Sequence, residues 1–202
     1  MNKIVVYIHG KGGNAEEAEH YRGLFPDRTV IGFDYQSQTP WEAKDEFLNF
    51  FDGIEKLNDS IEIIANSIGA YYSMCALSNS RINKAYFVSP IVDMSRLIMD
   101  MMSWEGVSES ELREKKLIDT SFGETLSWEY LTWVRNNPII WNTPTSILYG
   151  SDDNLQSMDT IISFTEIAKA ELTVMKGGEH YFHTDDQMLF LDNWIRRITE
   201  ND

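Results

Sequence analysis

A chain of 202 residues, 43% hydrophobic and 12% aromatic, is long enough to bury the core of one domain and too apolar to stay disordered, and no run approaches the roughly 20 apolar residues that span a bilayer. With 17 Lys and Arg against 32 Asp and Glu, its net charge of −15 repels phosphate backbones and anionic lipid, so neither nucleic acid nor membrane is an expected partner. The one cysteine, Cys75, rules out an internal disulfide and a Cys-rich zinc site and fits a reducing, cytoplasmic location; within "YYSMCALS" it reads as a buried small apolar residue.

The first element is "KIVVYIH" (3–9), a strand rather than a secretory signal, because glycines follow where a cleavage site would stand. A helical stretch, "AEEAEHYRGLF", leads to a second strand, "RTVIGFDY" (28–35). In "PWEAKDEFLNFFDGIEKLN", Pro40 suits a first helical turn and Phe47, Phe51 and Ile54 fall on one face at helical spacing. Strands "SIEIIAN" (60–66) and "KAYFVSP" (84–90) follow. Between 93 and 143 the rhythm breaks: "MSRLIMDMMSWEG", "SESELREKKLI" and "TLSWEYLTWVRNN" read as three helices with no strand between them, rich in Met, Trp and Leu. This insertion is expected to act as a lid over a pocket, with Trp104, Trp128, Tyr130 and Trp133 as an apolar wall or, equally, as core. Strands "TSILYGS" (145–151) and "ELTVMKG" (171–177) complete the set, and Thr184 with Gln187 marks the start of a last helix bearing Met188, Leu191, Trp194 and Ile195 at helical intervals. No repeat, low-complexity tract or linker interrupts the chain, so residues 1–202 are expected to form a single domain. The βαβ alternation predicts a three-layer, doubly wound sheet of about six parallel strands with helices on both faces.

In an open α/β sheet, ligands bind beyond the C-terminal ends of the strands, so residues distant in sequence meet there. Three of these ends carry reactive groups: Ser67 after the third strand, Asp152 and Asp153 in "YGSDDN", and His180 and His183 in "KGGEHYFH". Ser67 alone would suit a helix N-cap. A serine hydroxyl becomes a nucleophile when an imidazole takes its proton and a carboxylate orients that imidazole, and all three residue types are present, in the order Ser, Asp, His. The glycines of "YIHGKGGN" do not match a phosphate-binding loop, and His180 with His183 lacks the companion ligands of a zinc motif.

With these segments in this order, the chain resembles a small α/β-hydrolase, a carboxylesterase-like serine hydrolase, with Ala65-Asn66-Ser67-Ile68-Gly69 in the place of the G-x-S-x-G elbow. Ala65 stands where the pattern has its first glycine. The resemblance covers nearly the whole chain and implies a reduced sheet of strand order 2-1-3-4-5-6, without the antiparallel hairpin of larger members. It implies Ser67 as nucleophile, Asp153 as acid, three residues after Gly150, and His180 as base in a G-x-x-H loop. Lys11 and Ile68 would supply the oxyanion-hole N–H groups, and His9 would brace the first loop; His20 is expected at the surface. The implied activity is hydrolysis of a small or medium acyl ester, with no cofactor and no metal. Thioester, amide or carbon–carbon cleavage by the same triad, and a non-catalytic binding protein on the same scaffold, are the alternatives.

Overall fold

The computed structural model describes residues 2–200. In chain order the elements are β1 (Lys3–Ile8), a 3-10 turn (Ala15–Glu17), α1 (Ala18–Arg22), β2 (Thr29–Phe33), α2 (Pro40–Leu57), β3 (Ser60–Asn66), α3 (Ile68–Ala76), β4 (Lys84–Val88), α4 (Met94–Glu105), α5 (Glu109–Lys115), β5 (Leu117–Asp119), β6 (Thr125–Ser127), α6 (Trp128–Asn136), β7 (Thr145–Gly150), α7 (Met158–Ala168), β8 (Glu171–Met175) and α8 (Asp185–Thr199). The apolar runs become one six-stranded sheet of order β2-β1-β3-β4-β7-β8, every neighbouring pair parallel. Counting sheet strands alone, this is the expected 2-1-3-4-5-6.

Side chains alternate across the sheet, so register decides which residues share a face. Val5 pairs with Glu62 and Tyr7 with Ile64, while Ile64 pairs with Tyr86 and Asn66 with Val88. These positions lie on the face covered by α1 and α8, where Tyr21, Phe25, Leu191, Trp194 and Ile195 close the core. The opposite face carries Val6, Ile8, Ile63, Ala65 and Phe87, all fully buried. Near it α2 packs on α3, and Phe33, Tyr35, Phe47 and Tyr72 form an aromatic cluster.

Helix ends follow local chemistry. Thr39 and Glu42 form a reciprocal capping box ahead of Pro40, which needs no N–H at that position. Thr184 caps Gln187 N–H, but the Gln187 side chain returns one residue early and accepts from His183 N–H at 3.0 Å.

The chain separates into two compact units, residues 1–92 with 140–202, and Asp93–Ile139. The sheet belongs to the first. In the second, the reading of helices alone needs correction: Leu117–Asp119 and Thr125–Ser127 pair as an antiparallel hairpin between α5 and α6. Ser108 caps α5, Ser127 caps α6, and Arg135 grips both oxygens of Glu109 at 2.8 and 2.9 Å. Among the described residues no helix is long and apolar enough to cross a membrane.

Candidate active site

Strand β3 ends in a corner rather than a loop. Ser67 has φ 50° and ψ −120°, a region that side-chain-bearing residues rarely enter, and α3 begins at the next residue. Its N–H is held by Val88 O at 3.0 Å, and its carbonyl accepts from Ala70 and Ile91. Gly69 makes the corner possible: a Cβ there would stand 2.3 Å from the His9 carbonyl oxygen, so only glycine lets the helix start against the end of β1. Although Ser67 occupies the N-cap position of α3, its side chain makes no capping hydrogen bond. The hydroxyl instead meets His180 Nε2 at 2.8 Å.

The acid comes from the loop after β7. Asp153 Oδ2 lies 2.7 Å from His180 Nδ1, and Asp153 Oδ1 accepts from the N–H groups of Leu155 at 2.8 Å and Gln156 at 3.2 Å. The Asp153 side chain is wholly buried and that of His180 is 15% exposed. A carboxylate facing Nδ1 requires the proton on that nitrogen, which leaves Nε2 a lone pair aimed at the Ser67 hydroxyl. The two loops approach closely because β7 ends in glycine: a Cβ at Gly150 would fall 2.3 Å from Gly178 O. Tyr149, whose hydroxyl donates to Gln156 O at 2.7 Å, secures the same loop; burial, with the Asp153 charge adding to it, pushes its pKa up to about 12, so it remains a donor.

The structure separates the alternatives that the sequence left adjacent. Asp152 is exposed and accepts from Ser151 Oγ, away from the histidine. The His183 ring donates from Nδ1 to Tyr181 O and stacks on the Tyr181 ring at 5.2 Å. His9 donates from Nδ1 to Gly10 O and stacks on Tyr35 at 4.2 Å, a bracing position on the first loop. His20 Nε2 lies 2.7 Å from Asp192 Oδ1 on the border of a cavity beside Ser67.

A cavity of about 650 Å³ opens beside Ser67. Gly10, Lys11, Gly12 and Gly13 line one side, and a Cβ at Gly10 would be 3.3 Å from Ser67 Cβ. Ile68, as the first residue of α3, has an N–H with no intrahelical partner. Tyr181, Phe182, Met188 and Leu191 form an apolar side. Among the described residues no group of three or more His, Cys, Asp or Glu side chains is arranged to hold a metal ion.

One polar group of this cavity escaped the sequence reading. Tyr7 donates its hydroxyl proton to Glu17 Oε2, and Asn66 Nδ2 donates to Tyr7 Oη at 2.9 Å. Tyr21 stacks on Tyr7 at 5.2 Å. Burial, with the neighbouring Tyr21 and Glu17 adding to it, raises the Tyr7 pKa far above the ordinary phenol value. Tyr7 therefore stays protonated and its single proton goes to the carboxylate. The Tyr21 hydroxyl also meets the Asn66 side chain, and Asn66 Oδ1 is buried with no further hydrogen-bond partner among the described residues.

No family model and no curated protein sequence matches the chain. Solved structures do. Est1E from Butyrivibrio proteoclasticus superposes with a TM-score of 0.76 over 99% of this chain and 88% of its own, at 16% identity. The mouse alpha/beta hydrolase domain-containing protein 10 gives 0.77 over 98% and 90%, at 12% identity. The Pyrococcus furiosus esterase Pf2001 gives 0.63 over 98% and 81%, at 20% identity. The fold of this chain is that of the α/β hydrolases.

Proposed function

We propose that this chain is a serine hydrolase that cleaves a small or medium carboxylic ester through an acyl-enzyme on Ser67. The observation that carries the reading is the hydrogen-bond line from the buried Asp153 carboxylate through His180 to the Ser67 hydroxyl, placed at a strained turn beside a cavity. In the proposed cycle Ser67 Oγ bonds to the carbonyl carbon while its proton passes to His180 Nε2, and Asp153 stabilises the resulting imidazolium. The N–H groups of Lys11 and Ile68 take the oxyanion. The bond to the alcohol oxygen then breaks as His180 gives that oxygen its proton. Water, deprotonated by His180, attacks the acyl carbon, and Ser67 leaves with the proton returned. Fold neighbours that include esterases favour the same chemistry, although a fold by itself hosts many reactions.

A fluorophosphonate probe tests the nucleophile directly: wild type is labelled and Ser67→Ala is not. Equal labelling of the two, or none in wild type, sinks the reading. For the base, His180→Ala loses p-nitrophenyl butanoate turnover while His183→Ala keeps most of it; the reverse result reassigns the base.

A further inference from the structure

The groups beside Ser67 are unequal in hydrogen-bonding character. In the proposed cycle the cavity's donors have tasks: the Lys11 and Ile68 N–H groups face the oxyanion, and His180 handles the Ser67 proton. His20 and His183 are engaged with Asp192 and with Tyr181 O. Lys11 and Tyr181, which also line the cavity, carry side-chain donors, while the Tyr7 side of the cavity carries acceptors. Glu17 offers lone pairs on two oxygens and Tyr7 uses one of them. Because the Tyr7 proton goes to Glu17, the Asn66 atom facing Tyr7 has to be its NH₂ group, which leaves Oδ1 as the buried oxygen without a partner. Buried as it is, that oxygen keeps the Asn66 amide turned with its NH₂ toward Tyr7, and the acceptor left open to a ligand is Glu17. Tyr7, Glu17 and Asn66 all line the cavity that holds Ser67 and His180, and Asn66 precedes the nucleophile directly in the chain.

We propose that this cluster recognises a hydrogen-bond-donating group on the substrate, a hydroxyl or an ammonium, with Glu17 as the specificity-determining residue and Tyr7 and Asn66 as the groups that position it. The inference rests on the serine hydrolase reading in taking the ester itself as the ligand. Glu17 is exposed enough to tolerate substitution, and glycine at 13 leaves it room: a Cβ there would stand 2.9 Å from Glu17 Oε1. An ester that sets a carboxylate against Glu17 meets like charge there and is disfavoured.

The test is a set of p-nitrophenyl esters matched in size: butanoate, 3-hydroxybutanoate, 3-aminobutanoate as the ammonium, and hemisuccinate. Wild type is expected to favour the hydroxy or amino ester over butanoate by tenfold or more in kcat/KM and to discriminate against hemisuccinate. In Glu17→Gln the amino-to-butanoate ratio falls at least tenfold and discrimination against hemisuccinate relaxes. A gain confined to the amino ester identifies an ammonium, one confined to the hydroxy ester identifies an alcohol, and either supports the cluster. Butanoate as the best substrate of wild type, or ratios unchanged in Glu17→Gln, would overturn it. A second readout needs no turnover: Ser67→Ala is titrated with butanamide, 3-hydroxybutanamide and 3-aminobutanamide by ligand-observed NMR. Tighter binding of a donor-bearing amide, lost when Glu17→Gln is added, supports the cluster even if no ester is cleaved; equal binding of all three refutes it even if every ester is.

Discussion

Glu62 and Asn66 lie four residues apart on the same face of β3, one near its foot and one at its rim, and their surroundings differ in kind. At the foot, both Glu62 oxygens are occupied: Arg28 Nε donates to one at 3.0 Å and Tyr86 Oη to the other at 2.9 Å. The Arg28 and Glu62 side chains are 7% and 8% exposed, and the Arg28 guanidinium lies over the Phe25 ring. At the rim, Asn66 keeps an unpaired oxygen, the next residue has a backbone that side chains avoid, and a cavity stands open beside both. A saturated polar network fixes structure. An unsaturated, strained one beside a cavity is where a ligand is expected to bind.

The comparison breaks most sharply if chemistry does not reside at the rim. Ser67→Ala is expected to lower ester turnover by about 10⁴-fold or more, while stability stays within about 1 kcal/mol because only one hydrogen bond is lost. Initial rates and urea unfolding on the same preparation decide it. The foot should give the opposite pattern. Glu62→Gln removes one of the two carboxylates that meet Arg28, Asp27 remaining at 2.9 Å, and is expected to cost about 1.5–3 kcal/mol, with kcat per folded molecule unchanged. If Arg28→Met and Glu62→Leu together recover most of that loss, the penalty belongs to the lost charge pair; a fall in kcat in Glu62→Gln would show that the two ends are coupled.

The framework that carries this contrast was readable in the sequence, and what was not has a physical cause. Continuous apolar runs and turn residues are local signals, so all six sheet strands were legible, as was a Ser, Asp and His set at their ends; the preference for Asp153 over Asp152 and His180 over His183 came from the family resemblance, and the structure sets those two beside Ser67. The Leu117–Asp119 and Thr125–Ser127 hairpin was missed because three-residue strands carry too little periodicity to outweigh the helical pattern around them. The Tyr7, Glu17 and Asn66 cluster was invisible for another reason. It depends on the parallel register of β1 with β3, which sets Tyr7 and Asn66 on one face, 59 residues apart in sequence. Glu62 likewise reads as an interruption in an apolar run until register places Tyr86 and Arg28 around it.

A matched pair of smaller changes sharpens the contrast, since each removes one buried hydroxyl. Tyr86→Phe deletes the donor to the Glu62 carboxylate and is expected to cost about 1.5–3 kcal/mol in urea unfolding without altering kcat. Tyr149→Phe deletes the donor to Gln156 O, whose own N–H holds Asp153. Its stability cost is smaller, about 0.5–1.5 kcal/mol. A loosened Asp153 loop misplaces His180, so kcat is expected to fall about tenfold with KM little changed. Equal effects of the two substitutions on kcat would erase the distinction between the ends.

The smallest expected effect isolates the backbone. With φ 50° and ψ −120°, a residue bearing a Cβ at position 67 costs of order 1–3 kcal/mol, whereas glycine enters that region freely. Glycine also loses more chain entropy on folding, by about 0.5–1 kcal/mol, so Ser67→Gly should gain about 1 kcal/mol over Ser67→Ala. Both variants lack the hydroxyl and its bond to His180, so their difference contains the strain and not the chemistry. In a chain of 202 residues that gain corresponds to a Tm about 2–4 °C higher. Ser67→Gly melting below Ser67→Ala would mean that the corner after β3 is relaxed, and that the rim owes its reactivity to side-chain placement alone.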